Sequence, residues 1–563
     1  MVFKDYEYIR PDFLKVKEEF NKNIEVIKNS NNSEDVIKAV DAINKIRNDF
    51  DSMETLCSIR FSINTLDEFY SKENDWFDEN SAYFHELVNE YEKAMIDSKF
   101  RKELELKYGD HLFKMFEVDI QTFSKEIIPL LQEENKLDSS HSKLIGSSKI
   151  EFDGKVLNLS QMRPYMTSPD RNVRKAAETA SWNFFKDHEK EFDTIYDNLV
   201  RVRNEMAIKL GYKNYVDLGY KRLGRTDYNS ADVSNYRKQV LEEITPLASK
   251  LIDAQAKRIG IKDFKSYDFG LFYLTGNPKP IDDLNLEIEY AKKMYSELSS
   301  ETKEFVNFMF DHECVDLLAK PGKEGGGYCT YIPKYSSPFV FANFNGTSDD
   351  IETFTHEFGH AFQVYSSRGQ TVPEYYWPTL EACEIHSMSM EFFTWPWMHL
   401  FFGKDDFKYQ YNHLVDTITF IPYGVTIDEF QHVIYENPNM TPNERKKAFR
   451  EIEKKYMPYK KYDNPFLEDG NWWLRQSHVF STAFYYIDYT LAQNCAHQFL
   501  VKNWQNHEKA WDDYKRLCKT GGSKSFTELI KVANLDNPFI DGTLKKTTKV
   551  LNEWLDKVDA NKL

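Results

Sequence analysis

Two histidines one helical turn apart, with a glutamate directly after the first, make His356-Glu357-Phe358-Gly359-His360 the segment of this chain best suited to chemistry. On a helix such a pair shares a face with β-carbons about 5–6 Å apart, so both imidazoles can converge on one ion at roughly 2.0–2.1 Å. Glu357 then points beside the ion, where its carboxylate can take a proton from metal-bound water. In a chain with 14 histidines the bare pattern does not decide the matter. The plainer reading is a helix with two solvated or core histidines.

A catalytic zinc needs a third protein ligand and leaves a fourth position open. A histidine six residues beyond His360 would be one answer, but position 366 is Ser. The segment Thr379 to Glu391 offers carboxylates instead. Glu381, Glu384 and Glu391 fall on one helical face, and a glutamate stripe in so apolar a segment is poorly explained as a solvated surface. Spacing alone does not choose among them. His386 lies roughly 200° round the helix from Glu384 and is expected to be structural. Further on, Trp472 to His478 leads into Phe484-Tyr485-Tyr486-Ile487-Asp488-Tyr489. Such a cluster is usually core; beside a zinc site, its phenols and the His478 imidazole become donors able to stabilise an oxyanion.

The elements that must position these groups are also readable. Asp349 and Glu352 resemble a capping box, and Phe354, Phe358, Ala361, Phe362 and Tyr365 form the core-facing stripe of the helix that follows. Upstream, Gly325-Gly326-Gly327 precedes two β-like runs, Tyr328 to Pro333 and Phe339 to Phe344. No G-K-[ST] follows the glycines, so a small sheet with flexible turns is expected rather than a phosphate loop. Phe339–Phe344 is the strand expected to pair with a peptide backbone. Ile150 to Leu159 reads as a hairpin around Asp153-Gly154, and Ser168-Pro169-Asp170 as a helix cap with proline at the first helical position. Phe13, Val16, Phe20, Ile24 and Ile27, then Val36, Val40, Ile43 and Phe50, mark amphipathic helices and carry no chemistry.

Composition narrows the function classes. At 563 residues the chain predicts two or more lobes, and 42 Phe, 34 Tyr and 10 Trp suffice for a large core and a lined cleft. A net charge of −17 argues against a nucleic-acid partner. The six cysteines are scattered, without a C-x-x-C pair, and suggest neither a disulfide framework nor a sulfur zinc site. The first residues lack the apolar run of a signal peptide, and the longest apolar stretch, Phe392–Phe402, is too short to span a bilayer. A cytoplasmic protein without a membrane partner is expected.

Taken together, the Gly325–Thr330 segment, the block Phe354 to Ala361, Glu384-x-x-Ser387-x-x-x-Glu391, the His478 to Tyr489 region and Ser168-Pro169-Asp170-Arg171 resemble the thimet oligopeptidase and oligoendopeptidase F family of zinc peptidases. The likeness is closest to the bacterial oligoendopeptidase F and Pz-peptidase branch and runs from about residue 150 to the C-terminus. It implies a mostly α-helical, two-lobed zincin-type fold with a small β-sheet beside a deep channel. Residues 1–165 would form an N-terminal helical region and 166–563 the peptidase region. The resemblance selects Glu384 over Glu381 as the ligand completing His356 and His360 around one zinc ion. It places Glu391 as nearby support, His478 as a substrate contact, and Tyr485 or Tyr486 at the oxyanion. The implied substrates are short unstructured peptides cut internally. Two rivals stand beside this reading: a dipeptidyl carboxypeptidase-like zinc exopeptidase, and a non-catalytic helical peptide-binding protein, which would have no use for Glu357.

Overall fold

The computed structural model describes residues 1–281, 283–320, 322–344 and 348–563, apart from the side chains of residues 78 and 82. It is mostly helical, and its small sheet lies where the two β-like runs predict it.

Near the N-terminus, α1 (Phe13–Asn29) and α2 (Ser33–Ile63) start where Asp12 and Asn32 accept hydrogen bonds from the first-turn amides. Phe20, Ile24, Ile27, Val36, Val40, Ile43 and Phe50 are buried as their spacing predicts. The far end of α2 grips the sheet. Ser52 Oγ accepts from Lys334 N (2.9 Å), Ser62 Oγ donates to Glu324 (2.6 Å), and Thr65 N donates to Gly322 O (2.7 Å). The Arg47–Glu374 ion pair, 2.6 Å long and nearly buried, ties the same helix to the segment after the motif helix. The N-terminal helices therefore hold the glycine-rich turn in place.

The hairpin forms as expected, with β1 (Ile150–Phe152) antiparallel to β2 (Lys155–Leu157) and positive φ at both Asp153 and Gly154. The cap that follows differs from the expectation by two residues. Helix α3 (Arg171–Asp187) starts after Asp170, whose carboxylate accepts from Asn172 N at 2.8 Å, while Ser168 Oγ accepts from Asp170 N (3.2 Å) in the preceding turn. Pro169 thus lies before the cap, not inside the helix.

The sheet has the order β3 (Val315–Leu318), β5 (Ser337–Phe344), β4 (Tyr328–Ile332), with β3 parallel and β4 antiparallel to β5. This overturns the expectation that Phe339–Phe344 receives an added strand. β5 is central, buried except at Asn343, and its backbone groups are shared between two neighbours. Both outer strands, β3 and β4, have an open edge; β4, from Tyr328 to Ile332, is half-buried over its first three residues and is the one that follows the glycine-rich turn.

Four helices carry the remaining groups of interest: α4 (Ser348–Ser367), α5 (Leu380–Phe393), α6 (Asp406–Glu436) and α7 (Tyr486–Gln505). α4 begins one residue before Asp349, so Asp349 lies within the first turn and does not form the expected capping box. There its charge still suits the positive end of the helix dipole. α4 and α5 pack unusually closely because position 359 is glycine. A β-carbon there would fall 2.7 Å from Ser387 Cα and 2.8 Å from His386 O. Gly424 of α6 lies as tightly against Thr490 of α7. Among the described residues, no helix is long and apolar enough to cross a membrane.

Candidate metal centre

His356 and His360, one turn apart on α4, face Glu384 on α5 across the close contact that Gly359 permits. Their Nε2 atoms lie 3.2 and 3.5 Å from Glu384 Oε2. One ligand atom from each residue falls within 4.8 Å of the others, and this is the only such His/Cys/Asp/Glu group among the described residues. Burial alone would raise the Glu384 pKa, but the His360 and His356 imidazoles hold it well below the usual carboxylate range. Two imidazole nitrogens and one carboxylate are a donor set that suits a divalent ion.

The outer side of His356 is fixed as a metal ligand requires. Its Nδ1 lies 2.7 Å from Glu391 Oε1, leaving Nε2 free to face inward. Glu391 Oε2 in turn meets His413 Nε2 at 2.7 Å, and Trp395 Nε1 donates to His413 Nδ1 at 2.9 Å. Indole nitrogen is only a donor, so His413 Nδ1 accepts and its proton sits on Nε2, directed at Glu391. Sequence reasoning found Glu391 but missed His413 and Trp395, which lie on other elements and have no local signature.

Glu381, three residues from Glu384, faces elsewhere. It is fully buried near Arg225 and Asp488, and burial, with Asp488 adding to it, pushes its pKa up to about 8. His386 is fully buried too, its pKa pushed down to about 3 by burial, which agrees with a structural role. Glu357 is buried beside the pair of histidines. Burial raises its pKa and the two imidazoles oppose that rise. A β-carbon on Gly327 would lie 3.7 Å from Glu357 Oε1, so the residue preceding the open strand β4 borders this carboxylate.

On the opposite wall, the Tyr423 hydroxyl donates to Gln476 Oε1 (3.0 Å), turning the Gln476 amide nitrogen onto His478 Nδ1 (2.7 Å). Nε2 of His478 is therefore the protonated nitrogen, available to donate, and burial lowers the pKa so that the ring stays neutral. The Tyr489 hydroxyl lies 3.4 Å from it. Tyr485 donates to Glu384 Oε1 at 3.1 Å, and its phenol pKa is raised by burial and by that carboxylate. Tyr486 packs against Phe420 and Tyr423 and is nearly buried. A cavity of about 370 Å³ is bordered by His356, Glu391, His413, His478, Tyr486 and Tyr489, among others.

A model described as the peptidase M3 N-terminal domain matches residues 3–123, and one described as peptidase family M3 matches residues 164–548. An oligoendopeptidase F homolog of Lactococcus lactis is 22% identical over 494 residues, covering 82% of this chain and 78% of its own. Among solved structures, a Pz peptidase A with an inhibitor superposes with a TM-score of 0.95 at 53% identity, covering 99% of this chain and 100% of its own. A structure assigned as oligoendopeptidase F from Bacillus anthracis gives a TM-score of 0.91 at 50% identity, covering 100% of this chain and 99% of its own.

Proposed function

The chain belongs to the M3 peptidase family, and from that premise we propose that it is a zinc-dependent oligoendopeptidase cutting internal bonds of short unstructured peptides. The observation that carries this is the convergence of His356, His360 and Glu384, with Glu357 beside them, next to an open strand edge. His356, His360 and Glu384 would hold one zinc ion. When bound there, zinc acidifies a water molecule and polarises the scissile carbonyl.

The remaining steps belong to the chain's own side chains. Glu357 takes the proton of the attacking water and delivers it to the leaving amine. His478 Nε2–H is one oxyanion donor, and the Tyr485 hydroxyl becomes the second by turning its one proton from Glu384 Oε1 to the substrate. Tyr489 backs His478, and Tyr486 is a cavity wall rather than a donor. Glu391 keeps His356 in the tautomer that presents Nε2. β4 pairs with the extended substrate, which gives affinity with little sequence preference.

A folded chain already has its backbone groups paired, so only flexible segments suit this edge. Residues 166–563 act as the catalytic unit, and residues 1–165 brace the glycine-rich turn that leads into β4. Six free cysteines fit a reducing, cytoplasmic setting. Product analysis on a peptide blocked at both ends tests the reading. Internal cuts are expected, whereas removal of dipeptides only from free C-termini would favour the exopeptidase rival, and metal uptake without any turnover the binding-protein rival.

A further inference from the structure

The cavity beside the metal centre contains two carboxylates that the chemistry above does not use. Glu352 sits on α4 one turn before His356, and Asp416 sits on α6 three residues after His413. Among the described residues neither forms an ion pair, whereas the buried Glu134 is matched by Arg203 and Arg222. The neighbouring acid, Asp349, is turned to the surface and pairs with Arg163 at 3.4 Å. His413 is not their counter-ion, because its only proton is directed at Glu391 and its other nitrogen accepts from Trp395. Glu352 is half-buried and Asp416 is exposed on its outer side; desolvation at the cavity pushes Glu352 up to about 8, with His413 opposing the rise and Asp349 adding to it, and pushes Asp416 up to about 7, with Asp349 adding.

A second group on the same wall also lacks a partner. Gln493 of α7 is 3% exposed and lines the same cavity, and among the described residues its amide nitrogen has no acceptor. An unfilled donor this deeply buried is unfavourable by about 1–3 kcal/mol unless a ligand supplies an acceptor. Two uncompensated acids and one unfilled amide donor ask for a ligand that carries a positive charge and a carbonyl oxygen together. A peptide has both.

We propose that Glu352 and Asp416 form a cation-accepting subsite of the substrate cleft, with Gln493 donating to a carbonyl of the same peptide. The subsite rests on the peptidase reading above and sharpens it, since it makes peptides with a positive charge near the cut the preferred substrates. That charge is a lysine or arginine side chain or the peptide's own N-terminal ammonium.

The test uses the zinc-loaded full chain and a peptide set differing only in charge. A single lysine or norleucine is moved along both sides of the cut, with the amino terminus free or acetylated. For the wild type, kcat/KM is expected to favour one charged form by about tenfold or more, and the preference should shrink as salt is raised. In Asp416→Asn and Glu352→Gln the charged-to-neutral ratio should fall towards one. A preference that follows the lysine assigns the side chain, and one that follows acetylation assigns the ammonium. Equal cleavage of charged and neutral peptides by the wild type overturns the subsite, as does an unchanged ratio in both variants. The salt series on the wild type needs no variant to fold. Absence of turnover across the whole set overturns the peptidase reading itself, and the subsite with it.

Discussion

Glu391 Oε1 stands 2.7 Å from Nδ1 of His356, while its other oxygen is held by His413 at the same distance. One carboxylate thereby sets the tautomer and the ring orientation of a metal-facing histidine. Glu391→Gln keeps the shape but replaces one acceptor oxygen with a donor. Metal affinity is expected to fall about 10–100-fold, measured by competition with a chelator, with the thermal transition of the metal-free protein little changed. Unaltered affinity would show that His356 needs no such support.

The choice between Glu384 and Glu381 comes next. Glu384 faces both histidines, and Glu381 is buried near Arg225 and Asp488. Glu384→Ala should abolish tight metal binding, whereas Glu381→Ala should leave it largely in place and instead alter stability. A chelator titration giving the reverse order contradicts the assignment.

Gly359 is a packing prediction. Any side chain there meets Ser387 Cα, His386 O and Met390 Cβ at 2.7, 2.8 and 3.0 Å. Gly359→Ala should push α5 away from α4, destabilising the fold by about 1–3 kcal/mol and carrying Glu384 out of register with the histidines. The melting temperature and the metal affinity should fall together. Loss of neither would mean that the helices are not held as described.

His141 yields a pH prediction. It is 2% exposed, its ring stacks on Phe480 at 4.0 Å, and burial lowers its pKa from the usual 6.5 to about 4. The unfolded chain therefore binds more protons than the folded one between those values, and stability rises with pH there. This residue's penalty is absent above 6.5 and grows as pH falls towards about 4, reaching about 3 kcal/mol. His141→Phe should flatten the loss of melting temperature over that window. An identical acid slope in the variant would rule the residue out.

How much of this could be read from the chain depended on the range of each interaction. The pairing of His356 with His360 follows from one helical turn, and the Asp153-Gly154 hairpin from a two-residue turn, so both are local. Glu381 and Glu384 are three residues apart on one face, and only the path of α5 past α4 separates them. The strand Phe339–Phe344 reads as a surface for substrate because its upstream neighbour, Val315–Leu318, joins it in parallel and leaves no local trace. The same holds for His413, Gln476 and Tyr489, whose roles arise from contacts between elements. Asp170 rather than Ser168 is the cap: both are good capping residues two positions apart, and local preference does not separate them.

The account stands on Glu357 as a base that is not a ligand. The measurement that tests it most directly is Glu357→Gln, assayed in parallel for bound zinc and for turnover of a blocked peptide. The variant is expected to retain close to one equivalent of zinc and to lose at least about 10³-fold in kcat, since an amide cannot take the proton of the attacking water. Loss of zinc from a still-folded variant, or turnover near the wild-type rate, would contradict it.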